Sequence, residues 1–502
     1  MPRSGGLRIW LSTLAIALTV YVVSLAPGPL WQDSGLAQVR VLQRDLFGEL
    51  GLALSHPLYY LLALAAQWLP VGNPAWRTGL VAAVAGAVTV ANVALLLRLL
   101  TGRAMPAVTG ALAVGVAHTF WQHAAMPEVY TVSTALLTAE LLCLAAWCVT
   151  GQARWIVLLF LANGLGISNH LLALLSLVCY GLLVAYLWLR GRVPGRALLW
   201  SGVAWVLGAS IYLALIVVTL ARGAGLQETI HSALFGDFAR NVLNVRLGWH
   251  LIRNSVMYLG LNFPTPLALL APLGIWAWRS DRFRVARVAL LGLLTIHLLY
   301  AVRYDVPDQY TFFIPSIVLI GVLIGLGAAV LCGGGGRALQ TAVIAAAILP
   351  VGVYAALPEF AHSAGLKIGV TRQVPYRDEY RYFLQPWKTG DDGAMRFALA
   401  TRDALPAGAV LLADSTTVRP IHYLQLTGQW SEQVKVVPPS CGSRGIDLAS
   451  EALRRTAAEG RLYVVSNVAP YCPDWVLKSA ALVPHGPVYH VRPRIAATQQ
   501  GE

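Results

Sequence analysis

Side chains able to do chemistry are scarce in this 502-residue chain, where charged residues make up 12%. They gather in short segments between long apolar runs. Trp31-Gln32-Asp33-Ser34-Gly35 is followed by Ser55-His56-Pro57, then Phe120-Trp121-Gln122-His123 and Pro127-Glu128-Val129-Tyr130. Further on come Ser168-Asn169-His170 and Arg303-Tyr304-Asp305-Val306-Pro307-Asp308-Gln309-Tyr310. A carboxylate placed where a helix leaves a bilayer can have its proton affinity moved by its surroundings and act as a base. Asp33 stands directly after an apolar run closed by Pro27 and Pro29, so it reads either as such a base or as a helix cap. Glu128 either adds a second carboxylate or stabilises a helix N-terminus. His170 is a functional residue or a structural hydrogen-bonding one. Glu140 falls inside an apolar run, where a carboxylate must be protonated or paired within the bundle unless it serves function. No His or Cys spacing resembles a zinc site, and no Gly-rich loop cradles a phosphate.

The elements that must position these segments are membrane helices. With 57% hydrophobic residues and a mean hydropathy of +0.63, the chain is neither disordered nor a soluble enzyme. About 20 apolar residues span a bilayer. Eleven runs approach that length: 8–27, 78–100, 104–122, 129–150, 154–169, 171–189, 197–221, 254–278, 285–302, 311–332 and 338–357. Residues 57–69 are too short to cross and read as an interfacial or re-entrant helix. The first run, longer than a usual signal core, reads as an uncleaved helix. With the N-terminus inside, thirteen arginines face one acid, Asp281, on the inner side, while the outer loops balance eight against eight. This is the positive-inside pattern. It accounts for most of the formal net charge of +14, which on its own would suggest a nucleic-acid partner. All the polar segments listed above then open toward the outer face.

The composition changes at Glu359. Residues 359–502 hold all four lysines of the chain, with short strands expected at 409–413, 434–437 and 462–465 and helices near 391–404, 418–427 and 447–459. The expected fold is therefore an all-α polytopic membrane domain of about eleven transmembrane helices, residues 1–358, with an extracytoplasmic α/β domain, residues 359–502. Cys441 and Cys472 are the only cysteine pair in that domain, and the sequence leaves open whether they are bridged.

Taken in order, Trp31-Gln32-Asp33-Ser34-Gly35, His56-Pro57, Phe120-Trp121 with Glu128-Val129-Tyr130, and Gly164-Leu165-Gly166 with Asn169-His170 resemble the bacterial family called domain of unknown function 2723. That family resembles a branch of the GT-C glycosyltransferases related to protein O-mannosyltransferases. The resemblance covers residues 8–190 best, and extends loosely to Asp308–Ser316 and Leu411–Leu426. It implies transfer of a sugar, possibly mannose, from a polyprenyl-phosphate donor to a protein Ser/Thr hydroxyl or an envelope glycan or lipid, at the outer face of a bacterial inner membrane. It further implies Asp33 as general base, with Glu128 as the supporting carboxylate. Substrate contacts are then expected from His56, Trp121, His123, Tyr130, Asn169, His170, Arg303 and Asp308. The leaving phosphate needs positive or hydrogen-bonding groups, for which His170, Arg303 and the arginines of the 222–253 loop are candidates.

One position departs from the family pattern. Leu36 stands where the family has a glutamate after Asp-Ser-Gly, which removes a carboxylate, makes a metal-dependent mechanism less fitting, and puts activity or acceptor in question. No cofactor is called for, with a divalent cation the one alternative. Two other classes fit the composition. A transporter or flippase of lipid-linked or polar substrates would line the whole bilayer with polar residues. A non-catalytic envelope assembly factor would carry a dead site.

Overall fold

The computed structural model describes residues 4–368, 373–437, 451–469 and 471–493. Apolar runs become helices in chain order: α1 (Ser4–Ser24), α2 (Gln32–Gln43), α3 (Pro57–Ala66), α4 (Pro74–Thr101), α5 (Ala104–Gly115), α6 (His118–Ala124), α7 (Tyr130–Thr150), α8 (Arg154–Asn169), α9 (Ala173–Leu189) and α10 (Gly195–Ala221). After these come α11 (Leu226–Phe235), α12 (Ala239–Val242), α13 (Trp249–Asn262), α14 (Leu270–Ala277), α15 (Arg284–Arg303), α16 (Ile314–Leu331) and α17 (Arg337–Ser363). All eleven expected runs are helical. Among the described residues, seven helices are long and apolar enough to cross a membrane, or up to nine if each of two bent pairs forms one span, against the eleven expected. At 16 and 17 residues, α8 and α9 fall short of the length a bilayer asks for.

Both bends have chemical causes. The α13–α14 pair turns through 112° at Phe263-Pro264-Thr265-Pro266, where two prolines remove backbone donors and exclude the helix. The α5–α6 pair turns through 72° after Gly115, and the amide so freed at Thr119 donates to Asn262 Oδ1 at 2.8 Å. One broken span thus caps the other. At the centre lie α4 and α16, and α5 packs on α16 through Gly110, Gly321 and Gly325, where small residues let backbones approach. Glu140 is buried in α7 and accepts from Asn163 Nδ2 at 3.2 Å, the paired arrangement open to it from sequence.

After α17 the chain forms α18 (Glu379–Leu384), α19 (Gly393–Ala404), α20 (Val418–Leu426), α21 (Glu451–Ala458) and α22 (Asp474–Ser479) around a five-stranded sheet. Its strands are β1 (Val410–Leu412), β2 (Lys435–Val437), β3 (Leu462–Val464), β4 (Ala480–His485) and β5 (Val488–Pro493), in the order β2-β1-β3-β5-β4. The expected strands are the parallel ones, β1 pairing β2 and β3 with Leu411 opposite Val436 and Tyr463. Not foreseen is the antiparallel β4–β5 hairpin, turned at Gly486, whose φ is +60°. Pro484 and the half-exposed faces of β4 disguise its alternation. Cys441 lies outside the described residues, so the Cys441–Cys472 pairing does too.

The membrane and sheet regions share a core. Trp31, fully buried just ahead of α2, belongs to the hydrophobic cluster of Phe397, Leu411, Ile421 and Leu424 and packs against Phe397 with ring centroids 5.4 Å apart and planes tilted by 51°. The Lys388 amide donates to Ser24 O at 2.8 Å, tying the end of α1 to the same region.

Candidate active site

The turn after α1 is built by its own sequence. Pro27-Gly28-Pro29 ends the helix, and Gln38 clamps the loop by accepting from Leu30 N at 2.9 Å and donating to Gly28 O at 3.2 Å. Helix α2 then restarts at Gln32, placing Asp33 in its first turn, where the helix dipole favours an anion. Asp33, Leu36, Ala37 and Arg40 fall at the i, i+3, i+4, i+7 spacing of one helix face. All four line a cavity of about 550 Å³.

Opposite α2, the segments expected to gather do so. The cavity wall includes His56, His123, Glu128, Tyr130, His170, Arg303 and Asp308 alongside Asp33. Two expected residues stand behind it. Trp121 donates from Nε1 to Ser24 Oγ at 3.0 Å and packs on Trp387. Buried Asn169 donates to Val129 O at 2.9 Å and Ser133 Oγ at 2.8 Å, and its own carbonyl receives His56 Nδ1 at 2.8 Å. These two hold the wall rather than form it. Arg303 lines the cavity but spends its guanidinium on the Val242 and Asn244 carbonyls. The 222–253 loop contributes Leu234, Phe235, Phe238, Val242 and Leu243 to the wall and none of its arginines. The wall thus combines an apolar set, which also includes Leu171, Leu172, Leu174 and Leu175, with an acidic and aromatic one.

Sequence reasoning missed Arg40. Its signal was a second charge, seven residues on, on the Asp33 face of an amphipathic helix. Arg40 is buried, sits 3.8 Å over the Tyr60 ring, pairs with Asp45 at 3.6 Å and donates to Ser55 O at 3.0 Å. That last bond secures the turn leading to His56. Two non-glycine residues of the site have left-handed backbones, Gln32 at φ +50° and His56 at φ +49°, conformations kept only where surrounding structure over-determines them.

The His56 and His170 rings stack at 4.9 Å and 17°. A carbonyl can only accept, so His56 Nδ1 carries a hydrogen toward Asn169 O and its Nε2 is a bare acceptor. His170 Nδ1 accepts from Leu172 N at 3.1 Å, which leaves its Nε2 as the donor. Burial pushes His56 down to about 4 and His170 well below the usual imidazole range, so both rings are neutral at physiological pH.

The carboxylates respond to burial in the other direction. Glu128 is raised to about 8, by burial first and then by the nearby charges of Asp33 and Asp308, although Ser34 Oγ donates to its Oε1 at 3.0 Å. Asp308 is raised to about 6, again chiefly by burial and then by Asp33. Asp33 is solvent-exposed where it lines the cavity, with protein packed close around it. Partial desolvation by that packing raises its proton affinity and the charge of Arg419 opposes the rise. The three acids do not converge as a ligand set. Among the described residues, no group of three His, Cys, Asp or Glu side chains is arranged to hold a metal ion, and Leu36 lies on the same wall.

Comparison with known proteins bears on the fold. Residues 55–190 match the family model of the protein O-mannosyl-transferase TMEM260 N-terminal domain, within the stretch where the motifs resembled a relative of such enzymes; the domain of unknown function 2723 is not itself matched. The chain is similar to ArnT from Cupriavidus metallidurans bound to undecaprenyl phosphate, at 15% identity and a TM-score of 0.59, over 96% of this chain and 97% of that one. The apo state of ArnT matches over the same shares at 14% identity and a TM-score of 0.57. The Pmt1-Pmt2 protein O-mannosyltransferase complex of S. cerevisiae aligns over 48% of this chain and 36% of that chain, at 14% identity and a TM-score of 0.36. No curated protein sequence matches significantly. This is a multi-span membrane protein with the GT-C-type architecture that ArnT displays along its whole length.

Proposed function

We propose that this chain is an integral-membrane glycosyltransferase that moves a sugar from a polyprenyl-phosphate donor to a hydroxyl acceptor outside the cytoplasm. The observation that carries this reading is a cavity of about 550 Å³ whose wall joins carboxyl, imidazole and phenol groups able to bind and deprotonate hydroxyls to a run of apolar side chains able to take a lipid chain. The shared fold with ArnT, a protein whose structure holds undecaprenyl phosphate, supports the donor class. The O-mannosyl-transferase match over residues 55–190 favours mannose and a protein Ser/Thr acceptor over an envelope glycan or lipid. The arginine bias of the loops supports a cytoplasmic N-terminus and an extracytoplasmic C-terminal domain from residue 359, and the fold shared with ArnT from Cupriavidus metallidurans favours a bacterial inner-membrane location.

In this mechanism Asp33, ionised, takes the proton of the acceptor hydroxyl as the hydroxyl oxygen attacks the anomeric carbon. The bond from that carbon to the phosphate oxygen breaks, and the polyprenyl phosphate leaves with the electron pair, inverting the anomeric centre. Glu128, protonated below about pH 8, donates a hydrogen bond without adding a charge that would oppose the ionised Asp33. His170 Nε2–H is a neutral donor for the leaving phosphate, and His56 Nε2 accepts from a sugar hydroxyl. His123, Tyr130, Arg303 and Asp308 shape the remaining contacts, with Trp121 and Asn169 supporting them from behind. No step passes through a metal.

The test is transfer from a panel of radiolabelled polyprenyl-phosphate sugars by the purified protein in membranes with envelope extract. Wild type should give labelled product and Asp33→Asn should lose at least about 100-fold, the usual worth of a positioned base. Equal transfer by the two proteins would overturn the assignment of the base.

A further inference from the structure

The catalytic helix of the membrane region is completed by the sheet-bearing region. Just before α2, Trp31 is fully buried against Phe397 of α19. The amide of Gln32, whose φ is +50°, lies 3.5 Å from the Thr416 carbonyl in the loop after β1. A Cβ on Gly35 would meet Arg419 Cβ at 2.8 Å, so α20 lies flush on the first turn of α2. Three successive contacts therefore bring half-buried Arg419 to the turn that carries Asp33. Among the described residues no carboxylate, Asp33 included, stands within 4.0 Å ion-pair distance of Arg419, so its charge acts on Asp33 through space.

We propose that Arg419 is a supporting residue for Asp33: the C-terminal domain brings, through α20, a cation to the turn of α2 that carries this carboxylate, and its charge favours the ionised form at the cavity wall. The groups facing Asp33 from its neighbours are otherwise acidic or neutral. Glu128 and Asp308 repel its charge, while Tyr60 and Tyr310 stay protonated beside it. From its own helix, Arg40 is engaged with Asp45 and the 54–55 carbonyls. On α20, His422 is held neutral, lowered to about 4 by burial and then by Arg419 itself. Without Arg419 the cluster would hold three acids and no free cation, and Asp33 would keep its proton to higher pH, where it cannot act as a base.

The inference builds on the reading of Asp33 as base but can be tested without turnover. Infrared titration of the full-length protein in nanodiscs follows the carboxylate band of Asp33, identified by its loss in Asp33→Asn. In Arg419→Gln the midpoint should move to higher pH, and Arg419→Lys should restore it. An unmoved midpoint in Arg419→Gln, with the protein folded by its thermal transition, overturns the proposal. Sugar transfer is measured on the same samples across pH. If the midpoint moves but wild type transfers no sugar, the glycosyltransferase reading fails and the role of Arg419 stands. If wild type transfers sugar and Arg419→Gln slows it equally at every pH with an unmoved midpoint, α20 acts by packing alone.

Discussion

Three carboxylates around one cavity cannot all ionise cheaply, and their surroundings sort them into different tasks. Glu128, deepest and flanked by Asp33 and Asp308, keeps its proton to about pH 8. It is therefore neutral below that value and negative above it, so sugar transfer should fall as pH rises through about 8. Glu128→Gln cannot ionise; it should keep near-wild-type transfer at neutral pH and lose the alkaline decline, as a pH–rate profile would read. An alkaline limb that persists in Glu128→Gln would assign it to another group. At this scale the sequence was most informative where side-chain type alone carries the chemistry, as for Asp33, His56 and His170. Arg40 and Arg419 escaped because their importance lies in what they face. A buried arginine and a surface arginine are spelled alike. The left-handed backbones of Gln32 and His56 were equally silent, since nothing local demands them and only tertiary contacts hold them there.

At the scale of elements, α8 carries Asn169 and His170 to the cavity and depends on close packing with α10. A Cβ at Gly208 would meet Leu161 O at 2.5 Å and Leu165 N at 2.6 Å, and Gly164 is seated as tightly against the backbone of Trp205. Gly208→Val should force the two helices apart, costing about 1–3 kcal/mol, and tilt the histidine stack. A lower thermal midpoint in detergent, together with reduced transfer, checks this; an unchanged midpoint would show that the helices can separate freely. Element existence was legible because an apolar run of membrane length has few other fates. Where each helix bends was less so. The α13–α14 break is written in Pro264 and Pro266, but that at Gly115 is set by Asn262 capping Thr119 from 143 residues away, which no local pattern displays.

At the scale of the whole molecule, the sheet-bearing region is fastened to the membrane region by Trp31 in a core that also holds Phe397, Leu411 and Leu424. Trp31→Ala would empty a large buried site and should cost about 3–5 kcal/mol. Limited proteolysis should then cut between α17 and α18 faster than in wild type, and transfer should fall even though Trp31 does not line the cavity. Unchanged proteolysis would mean that the remaining contacts, such as Lys388 N to Ser24 O and Gln122 to Tyr382 O, hold the two regions without Trp31. The composition shift at Glu359 announced two regions; it could not announce that they share a core, because Trp31 sits among the membrane residues in sequence and among the sheet residues in space.

That placement also sets an order of assembly. Ribosomes make Trp31 and Asp33 near the start of the chain, whereas Phe397, Leu411 and Ile421 follow more than 360 residues later. Until that later segment has folded, Trp31 has no core to enter, and the turn bearing Asp33 has the Gln38 clamp but not its support from α19 and α20. A nascent or prematurely ended chain therefore reaches the bilayer without a working site, and chemistry begins only when the last part of the protein closes over the first.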